Sequence, residues 1–484
     1  MESREQYLYV PNKKNTDYNM WFAYPAQESF ALSSLGYLWL FKEIDELTDI
    51  NIERIYTDSK NTQIPANKVN LIGFSLSYDL NYYGILSILE RNHLNFNAAE
   101  RQESAPLVYA GGPVITANPE PYKDFFDFMV IGDGEELNMQ AVNICKINKN
   151  KPKQEILKLL SEIEGIYVPS LNQKYVKKST KKLTQCIYTP ILSENSYFKN
   201  TFIIELERGC ANRCAFCLAS YINMPIRFVE TQKIIDAIEL GLKYTNKIAL
   251  LGAQVTAHPQ FDKICDYIHN KYKGGQNIEM SVSSLRVDAF KENIVQTLVD
   301  LGQNSLTLAI EAGSERLRKL INKNLTNEQI FNAVDIAGKC GLKGLKFYGM
   351  IGLPTETQKD IDELVILAKK IKKQHKQLNI TFSFSTFVPK ACTPFQWFGR
   401  EETKSLEKKS NYIIKEMHKL GIDSTVTSPK WDYYQAVLSR GDKNLSKFMI
   451  NVYKQGGKIG AYRKAAKDLN INTDKYALEN YTFD

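Results

Sequence analysis

Three cysteines that lie close together, Cys210, Cys214 and Cys217, carry the clearest chemical signal in the chain. Closely spaced thiols in a reducing compartment usually bind metal. The spacing C-x3-C-x2-C lets one short loop fold around an iron–sulfur cube and hold three of its irons. The other cysteines stand singly, which is typical of small buried hydrophobic residues and not of a disulfide framework; they are Cys145, Cys186, Cys265, Cys340 and Cys392.

The cysteine loop has no further cysteine or histidine within reach along the sequence. One iron of the cube would therefore keep an open coordination position, which distinguishes a reactive metal centre from a closed structural one. Two alternatives remain. One is a zinc site completed by a distant residue such as His258 or Cys392, and the other is a group of unrelated buried cysteines.

An aromatic residue, Phe216, precedes the last cysteine, and C-x3-C-x2-C with this aromatic resembles the signature of the radical SAM superfamily. The resemblance implies a [4Fe–4S] cluster whose unique iron is chelated by the amino and carboxylate groups of S-adenosylmethionine (SAM). It implies that one electron from the cluster cleaves the S–C5′ bond of SAM, leaving methionine and a 5′-deoxyadenosyl radical. It also implies that Phe216 packs beside the adenine.

From residue 202 onward, apolar runs and helical stretches alternate regularly, as in a parallel (βα) barrel. The cysteines directly follow the first of these runs, at the carboxyl end where such barrels place their chemistry. We therefore expect a partial (βα)6 barrel at 196–400, followed by a helical C-terminal region at 401–484 that caps or flanks it. The predicted strands are 202–208, 247–252, 278–284, 304–310, 343–350 and 379–386.

Polar and glycine residues follow the later strands of this predicted barrel. Hydroxyls and an arginine are suitable donors for a ribose and a carboxylate, a lone carboxylate accepts from ribose hydroxyls or an ammonium, and glycines let the backbone approach a ligand. With the resemblance, these properties predict a cofactor-binding set of Phe216, Gly252, Ser283, Arg286, Glu311 and Gly352, and Ser284 offers a second hydroxyl beside Ser283.

Each of these positions also has an ordinary structural interpretation. Strand-end capping would explain Ser283 and Ser284, a surface ion pair Arg286, and helix capping Glu311. The usual Gly-Gly-Glu of the superfamily is only loosely matched by the turn that contains Gly252 and Gln254. Cys392, after the sixth strand, would be either a hydrogen-atom donor or an ordinary loop cysteine, so the catalytic residue stays unassigned.

Residues 21–190 show shorter strands that close on glycine turns, a pattern typical of a doubly wound, Rossmann-like parallel sheet. With the turns at 111–113 and 132–136, this region resembles the N-terminal domain of B12-binding-domain radical SAM proteins. That resemblance implies cobalamin, whose nucleotide tail enters between strands and helices. The family's D-x-H-x-x-G loop is missing, and His93 follows a helix without it. Cobalamin therefore binds without a histidine, or the domain instead shapes a substrate pocket.

Composition excludes several classes of protein. The chain has 484 residues, of which 43% are hydrophobic and 24% charged, so disorder is not its main state. No apolar run approaches the roughly 20 residues of a membrane-spanning helix, and residues 1–20 read as a polar, extended arm without a secretory signal. We expect a cytoplasmic protein. The net charge of +8 is dispersed, which gives nucleic-acid binding no support.

Together these observations predict a radical SAM enzyme, with cobalamin-assisted methyl transfer to an unactivated carbon as the leading reaction. A cobalamin-independent radical modification of RNA, a peptide or a small molecule is the alternative. A non-catalytic metal-binding module is the alternative from another class. The resemblance also implies an electron donor such as a flavodoxin or ferredoxin.

Overall fold

The computed structural model describes residues 5–173, 175–272, 278–283 and 285–481, and the chain forms two compact units. The first contains the chain up to Lys182 together with Ile187–Asn200 and Val437–Thr473. The second contains Leu183–Cys186, Thr201–Ala436 and the chain from Asp474. Within the described ranges, every helix is too short or too polar to cross a membrane.

The first unit is built on a six-stranded sheet in the order β3-β2-β4-β5-β6-β7, in which only β7 is antiparallel. Numbered along the chain, its parallel strands follow the order 2-1-3-4-5 of a doubly wound fold, which confirms the predicted fold class. A separate antiparallel pair joins β1 and β8. The strands are β1 (Gln6–Tyr7), β2 (Asn19–Ala23), β3 (Asn51–Ile55), β4 (Leu71–Ser75), β5 (Leu107–Gly111), β6 (Phe128–Val130), β7 (Ile166–Tyr167) and β8 (Ile191–Leu192).

The central strand β2 begins at Asn19, inside the segment expected to be an extended arm. Its apolar residues begin at Met20, only at the end of the polar segment, and β2 pairs with β3 and β4 on its two sides. Its last four residues are fully buried, as in parallel strands covered on both faces. The helices of this part of the chain are α1 (Glu28–Ala31), α2 (Leu35–Leu47), α3 (Tyr82–Arg91), α4 (Pro113–Ala117), α5 (Glu135–Ile147) and α6 (Lys153–Ser161).

The C-terminal region expected at 401–484 is helical but is shared between the two units. The hydroxyls of Tyr82 and Tyr462 meet at 2.8 Å in the interior of the first unit, and Ser446 donates to Asp124. These contacts hold 437–473 in the first unit, so this segment does not simply flank the barrel. The C-terminal helices are α14 (Thr403–Lys419), α15 (Pro429–Ser439), α16 (Leu445–Lys454), α17 (Ile459–Asp468) and α18 (Thr473–Ala477).

The second unit contains the predicted barrel strands, all parallel, in two sheets of order β13-β12-β9 and β14-β15-β16-β17. An isolated parallel bridge between Leu285 and Leu308 connects the two sheets. The strand β17, which the sequence does not predict because it is short and half-exposed, extends the second sheet. The strands are β9 (Phe202–Glu205), β10 (Glu207–Arg208), β11 (Arg227–Phe228), β12 (Lys247–Leu251), β13 (Glu279–Val282), β14 (Ser305–Glu311), β15 (Gly344–Ile351), β16 (Asn379–Thr386) and β17 (Asp423–Val426).

Helices follow these strands in βα order. The helices that the sequence predicts near 231–244, 259–272, 290–301, 326–340 and 357–376 begin within two residues of these positions, since their apolar periodicity is clear. The sequence does not predict the short α11, which follows β14. It leads into a turn at 321–324 that contacts the cysteine loop, as described below. The helices are α7 (Leu218–Ile222), α8 (Thr231–Gly241), α9 (Phe261–Tyr272), α10 (Glu292–Asp300), α11 (Glu315–Leu320), α12 (Asn327–Lys339) and α13 (Gln358–Gln374).

Candidate active site

The cysteine loop leaves the carboxyl end of the first barrel strand. After β9, the short strand β10 pairs antiparallel with β11, and Gly209 then turns the chain with φ of +92°. A Cβ atom on Gly209 would lie 2.7 Å from the carbonyl oxygen of Asn223, so this turn requires glycine. The loop ends at Cys217, directly before α7. Cys210 and Cys214 are buried and Cys217 is half-buried.

The turn at 321–324 holds the cysteine loop in place. The amide of Ala215 donates to the carbonyl of Ile321 at 2.9 Å. The side-chain amide of Asn322 donates to the carbonyls of Asn212 and Arg213 at 2.8 and 3.1 Å. The loop that carries the thiols is therefore fastened to a segment more than a hundred residues away.

A fully buried arginine, Arg318, fixes the turn itself. Its guanidinium donates to the carbonyls of Ala312, Gly313 and Leu325 at 2.7 to 2.9 Å, and its own carbonyl accepts from the amide of Lys323 at 2.8 Å. Because every donor of a buried guanidinium needs an acceptor, this arginine specifies one path for the chain around it.

The donor set of the loop fits an iron–sulfur cube better than a single metal ion. Among the residues that the structure describes, no three cysteine, histidine or carboxylate side chains converge on a single-metal position. In a cube each cysteine binds a different iron, so its thiols need not converge. His258 does not complete a zinc site, since its Nε2 pairs with the carbonyl of Val229 at 2.8 Å and its Nδ1 accepts from the amide of Gln260 at 3.2 Å. Cys392 is exposed in a loop after the sixth strand.

Two cations lie beside the thiols. Burial raises the pKa of the Cys214 thiol to about 11, whereas Lys323 and Arg286 act in the opposite direction. The ammonium of Lys323 lies 3.2 Å from a carboxylate oxygen of Glu311, which ends β14 with φ of +67°. Glu311 therefore lies where the sequence predicts it, at the rim and near the cysteines, and is paired with a lysine.

Arg286 and Ser283 are engaged in contacts within the protein. Arg286 forms a two-point pair with Asp288, at 2.9 Å for both bonds, and donates to the carbonyl of Lys323. The hydroxyl of Ser283 donates to the carbonyl of Gly252 at 3.1 Å. Both side chains therefore have partners within the protein, and their part in cofactor binding stays a prediction. Ser284 lies outside the described residues.

A residue that the sequence analysis did not select, Glu207, is the most unusual polar group of the site. It is only 2% exposed. One carboxylate oxygen accepts from the backbone amide of Gln254, and the other, Oε2, has no partner among the described residues. Burial raises the pKa of Glu207 to about 7. The sequence signal for Glu207 is weak, because it is the second acid of the charged run Glu205–Arg208, which ends the apolar strand three residues before Cys210.

Glu207 is connected to the first cysteine, Cys210, through Gln254. The side chains of Gln254 and Asn212 hydrogen bond to each other, and both contact the sulfur of Cys210, at 3.9 and 3.4 Å. A Cβ atom on Gly252 would lie 2.6 Å from the Cγ of Glu207, so a glycine here gives the carboxyl its place. Gly252 thus affects the site by leaving room for the side chain of Glu207.

Phe216 and Gly352 lie on the apolar side of the site. Phe216 and Met350 are partly buried and pack against a cluster that includes Leu353 and Phe387. Gly352, with φ of +76°, donates its amide to Glu356 at 2.9 Å, and a Cβ atom there would lie 2.5 Å from Leu406.

The first unit contains a separate cavity of about 280 Å³ at the carboxyl ends of β2, β4, β5 and β6. Its walls include Phe22, Phe74 and Tyr109, and glycines line its edge where the strands end. Among the residues that the structure describes, no charged side chain and no histidine lines it. His93 follows α3, whose end lies at the opposite edge of a parallel sheet, since a crossover helix runs back from the carboxyl edge.

Comparison with known proteins agrees with this geometry. Residues 204–368 match the family described as the radical SAM superfamily, and residues 36–169 match the family of radical SAM proteins, N-terminal. An uncharacterized protein of Methanocaldococcus jannaschii is 31% identical over 454 residues, which cover 92% of this chain and 94% of that one. The chain therefore belongs to the radical SAM superfamily and is an enzyme, which excludes the non-catalytic metal-binding module.

The superfamily uses a [4Fe–4S] cluster, SAM and a source of electrons, and the matched range contains the three cysteines described above. Two solved structures share the fold. The cobalamin-dependent SAM radical enzyme OxsB aligns with a TM-score of 0.56 and 12% identity, over 96% of this chain and 72% of that one. The radical SAM methyltransferase TsrM from Kitasatospora setae aligns with a TM-score of 0.54 and 13% identity, over 78% and 77%.

Proposed function

We propose that this protein is a cobalamin-dependent radical SAM enzyme that transfers a methyl group to an unactivated carbon. The observation that carries the proposal is the uncharged, aromatic-walled cavity at the carboxyl edge of the first unit's sheet, in a chain that also contains the cysteine loop. Ligands of open α/β sheets bind at this edge, at the point where the strand order reverses. Between β2 and β4 the order reverses in this way.

Cys210, Cys214 and Cys217 are the proposed ligands of the cluster, and the vacant fourth position is where SAM binds. When bound, the reduced cluster supplies the electron that splits SAM into methionine and a 5′-deoxyadenosyl radical. A small electron-transfer protein such as a flavodoxin or ferredoxin is the proposed donor. The turn at 321–324 keeps the thiols in position, since its hydrogen bonds to Ala215, Asn212 and Arg213 are fixed by a buried arginine.

Glu207 is the proposed acceptor for the amino group of SAM. A buried carboxylate oxygen without a partner is unfavourable until a donor reaches it, and hydrogen bonds to an ionised group are among the strongest in proteins. Gln254, at the place where the superfamily usually has an acid, supports this carboxylate through its backbone amide. Glu207 would therefore supply the charge that Gln254 lacks.

Phe216 is the proposed contact for the adenine, because it presents a half-buried ring on an apolar cluster beside Met350. Gly352 shapes this side of the site through the backbone that it turns. For Ser283 and Arg286 we propose a supporting role, since Ser283 donates to the carbonyl of Gly252 after β12 and Arg286 donates to the carbonyl of Lys323 in the turn at 321–324.

A bound corrinoid would carry the methyl group between SAM and the substrate. The cavity of about 280 Å³ lies near the lower end of the range for small-molecule sites, so it suits the aromatic base of the nucleotide tail and not the corrin ring. Since no histidine lines the cavity, we propose that cobalt has no histidine ligand from this domain.

The test is anaerobic reconstitution of the full chain with iron, sulfide and hydroxocobalamin, followed by gel filtration. We expect brown protein with about four irons per chain and a corrinoid absorption band that elutes with it. Under reductant, SAM should give both 5′-deoxyadenosine, from reductive cleavage, and S-adenosylhomocysteine, from methyl transfer. Repeated loss of the corrinoid band, with 5′-deoxyadenosine as the only product, would overturn methyl transfer and favour the cobalamin-independent reaction.

A further inference from the structure

The cavity of the first unit contains one polar group whose bonding is incomplete. Asn138, on α5, lines the cavity and is 2% exposed. Its Oδ1 accepts from the hydroxyl of Tyr109 at 2.6 Å. Its Nδ2 has no partner anywhere in the described part of the chain. Buried amide donors in native proteins almost always have a partner, so an unpaired donor on a side chain that lines a cavity points to a ligand with an acceptor.

The direction of this donor is fixed by the packing of Tyr109. The ring of Tyr109 stacks on Phe128 with centroids 4.8 Å apart and planes 4° from parallel. The same ring packs against Gly73, where a Cβ atom would lie 2.6 Å from it, so a glycine is needed at this position. The hydroxyl therefore has one position, and it holds Oδ1 so that Nδ2 is the free half of the amide.

The rest of the cavity wall defines what kind of acceptor fits. The aromatic rings of Phe22, Tyr37 and Phe74 line it together with Leu40 and Val130. An ionic ligand would find no counter-charge there, because every lining side chain is uncharged. A flat, neutral aromatic heterocycle with one unprotonated ring nitrogen meets both conditions.

We infer that Asn138 recognises the ring nitrogen of the corrinoid's nucleotide base, and so selects corrinoids whose base is a nitrogen heterocycle. The inference rests on the proposed function. It requires that the base has left the cobalt, because only then is the lone pair of its ring nitrogen free to accept. Asn138 is then a specificity-determining residue for the cofactor and is distinct from any ligand of the metal.

The experiment compares three corrinoids on the full-length chain by equilibrium binding. Cobalamin has a benzimidazole base with a ring nitrogen, p-cresolyl cobamide has an aromatic base without one, and cobinamide has no base. We expect the unaltered chain to bind cobalamin roughly tenfold more tightly than p-cresolyl cobamide, as one buried hydrogen bond would give. The absorption spectrum of bound cobalamin should be that of the base-off form.

Asn138→Leu, which keeps the branched shape and the number of side-chain heavy atoms, should abolish this preference by weakening the binding of cobalamin while leaving that of p-cresolyl cobamide unchanged or tighter. Asn138→Asp keeps the acceptor for Tyr109 and loses the donor, so it should show the same loss and serves if the leucine variant does not fold. Asn143→Leu, on the exposed face of the same helix, is the matched control and should keep the preference.

The outcomes separate this inference from the proposed function. Equal binding of cobalamin and p-cresolyl cobamide, both tighter than cobinamide, would overturn the role of Asn138 and leave the proposed function standing. A preference that survives in both Asn138 variants would do the same. Failure of all three corrinoids to bind would overturn the proposed function and the inference together.

Discussion

The ammonium of Lys323 lies 3.2 Å from a carboxylate oxygen of Glu311, and beside the cysteine loop Lys323 is buried and Glu311 is mostly buried. The two residues end different elements, β14 and the turn after α11, so their pairing helps to close the turn against the rim of the barrel. Removing one partner from a buried pair leaves the other charge without compensation.

We therefore expect Lys323→Met to destabilise the cluster-free protein by roughly 3 kcal/mol. Thermal unfolding of the second unit, followed by circular dichroism, measures the effect. In the double variant with Glu311→Gln, no lone charge remains, so part of the stability should return. If the double variant loses as much stability as the two single variants combined, the interaction between Lys323 and Glu311 contributes nothing to stability.

Replacement of a cysteine ligand should remove the cluster without unfolding the chain. Cys214→Ala is expected to lose the iron–sulfur absorption after anaerobic reconstitution, because the cube then lacks one of its three protein ligands. The first unit should keep its structure, since its core contains no residue of the loop. Cys392→Ala is the matched control, because this cysteine is exposed and should be dispensable for iron binding. Full iron content in Cys214→Ala would contradict the ligand assignment.

The stability of the cluster-free protein should depend on the protonation of Glu207. Burial raises the pKa of Glu207 from 4.5 to about 7, so between these values the unfolded chain binds fewer protons than the folded chain. The contribution of this group therefore falls as the pH rises from about 5 to 7, by at most about 3 kcal/mol.

Glu207→Gln should remove this dependence of stability on pH. The measurement is the difference in melting temperature between the variant and the unaltered chain, taken from about pH 5 to pH 7. We expect the variant to gain relative stability as the pH rises. Parallel pH profiles for the two proteins would contradict a buried, ionising Glu207.

Asn322 should control how firmly the cysteine loop is held. Asn322→Ala removes the two hydrogen bonds to the carbonyls of Asn212 and Arg213. We expect the fold to persist while the cluster is lost to a chelator several times faster. Asn304→Ala removes only a local side-chain bond to Gly302 and is the control. Equal rates of iron loss in the two variants would mean that the turn does not secure the loop.

Much of the site could be predicted from the sequence because its signals are local. The three cysteines and Phe216 lie within eight residues, and their place at the end of a strand follows from the apolar run before them. The barrel strands were placed closely for the same reason, since alternation and turn residues are properties of short segments. The sequence by itself therefore determined the superfamily and the position of the cysteine loop at the carboxyl edge of the barrel sheet, and it supplies the proposed cluster ligands.

Only the tertiary structure decided which buried polar groups lack a hydrogen-bond partner. In the sequence, Glu207 and Asn138 look like ordinary residues of a strand and a helix. In the structure, distant chain segments bury both side chains and provide a hydrogen-bond partner for only one of the two polar atoms of each. The same holds for Arg318, which fixes the turn that secures the cysteine loop. Burial and hydrogen bonding across long separations depend on packing, and no local pattern of residue types encodes them.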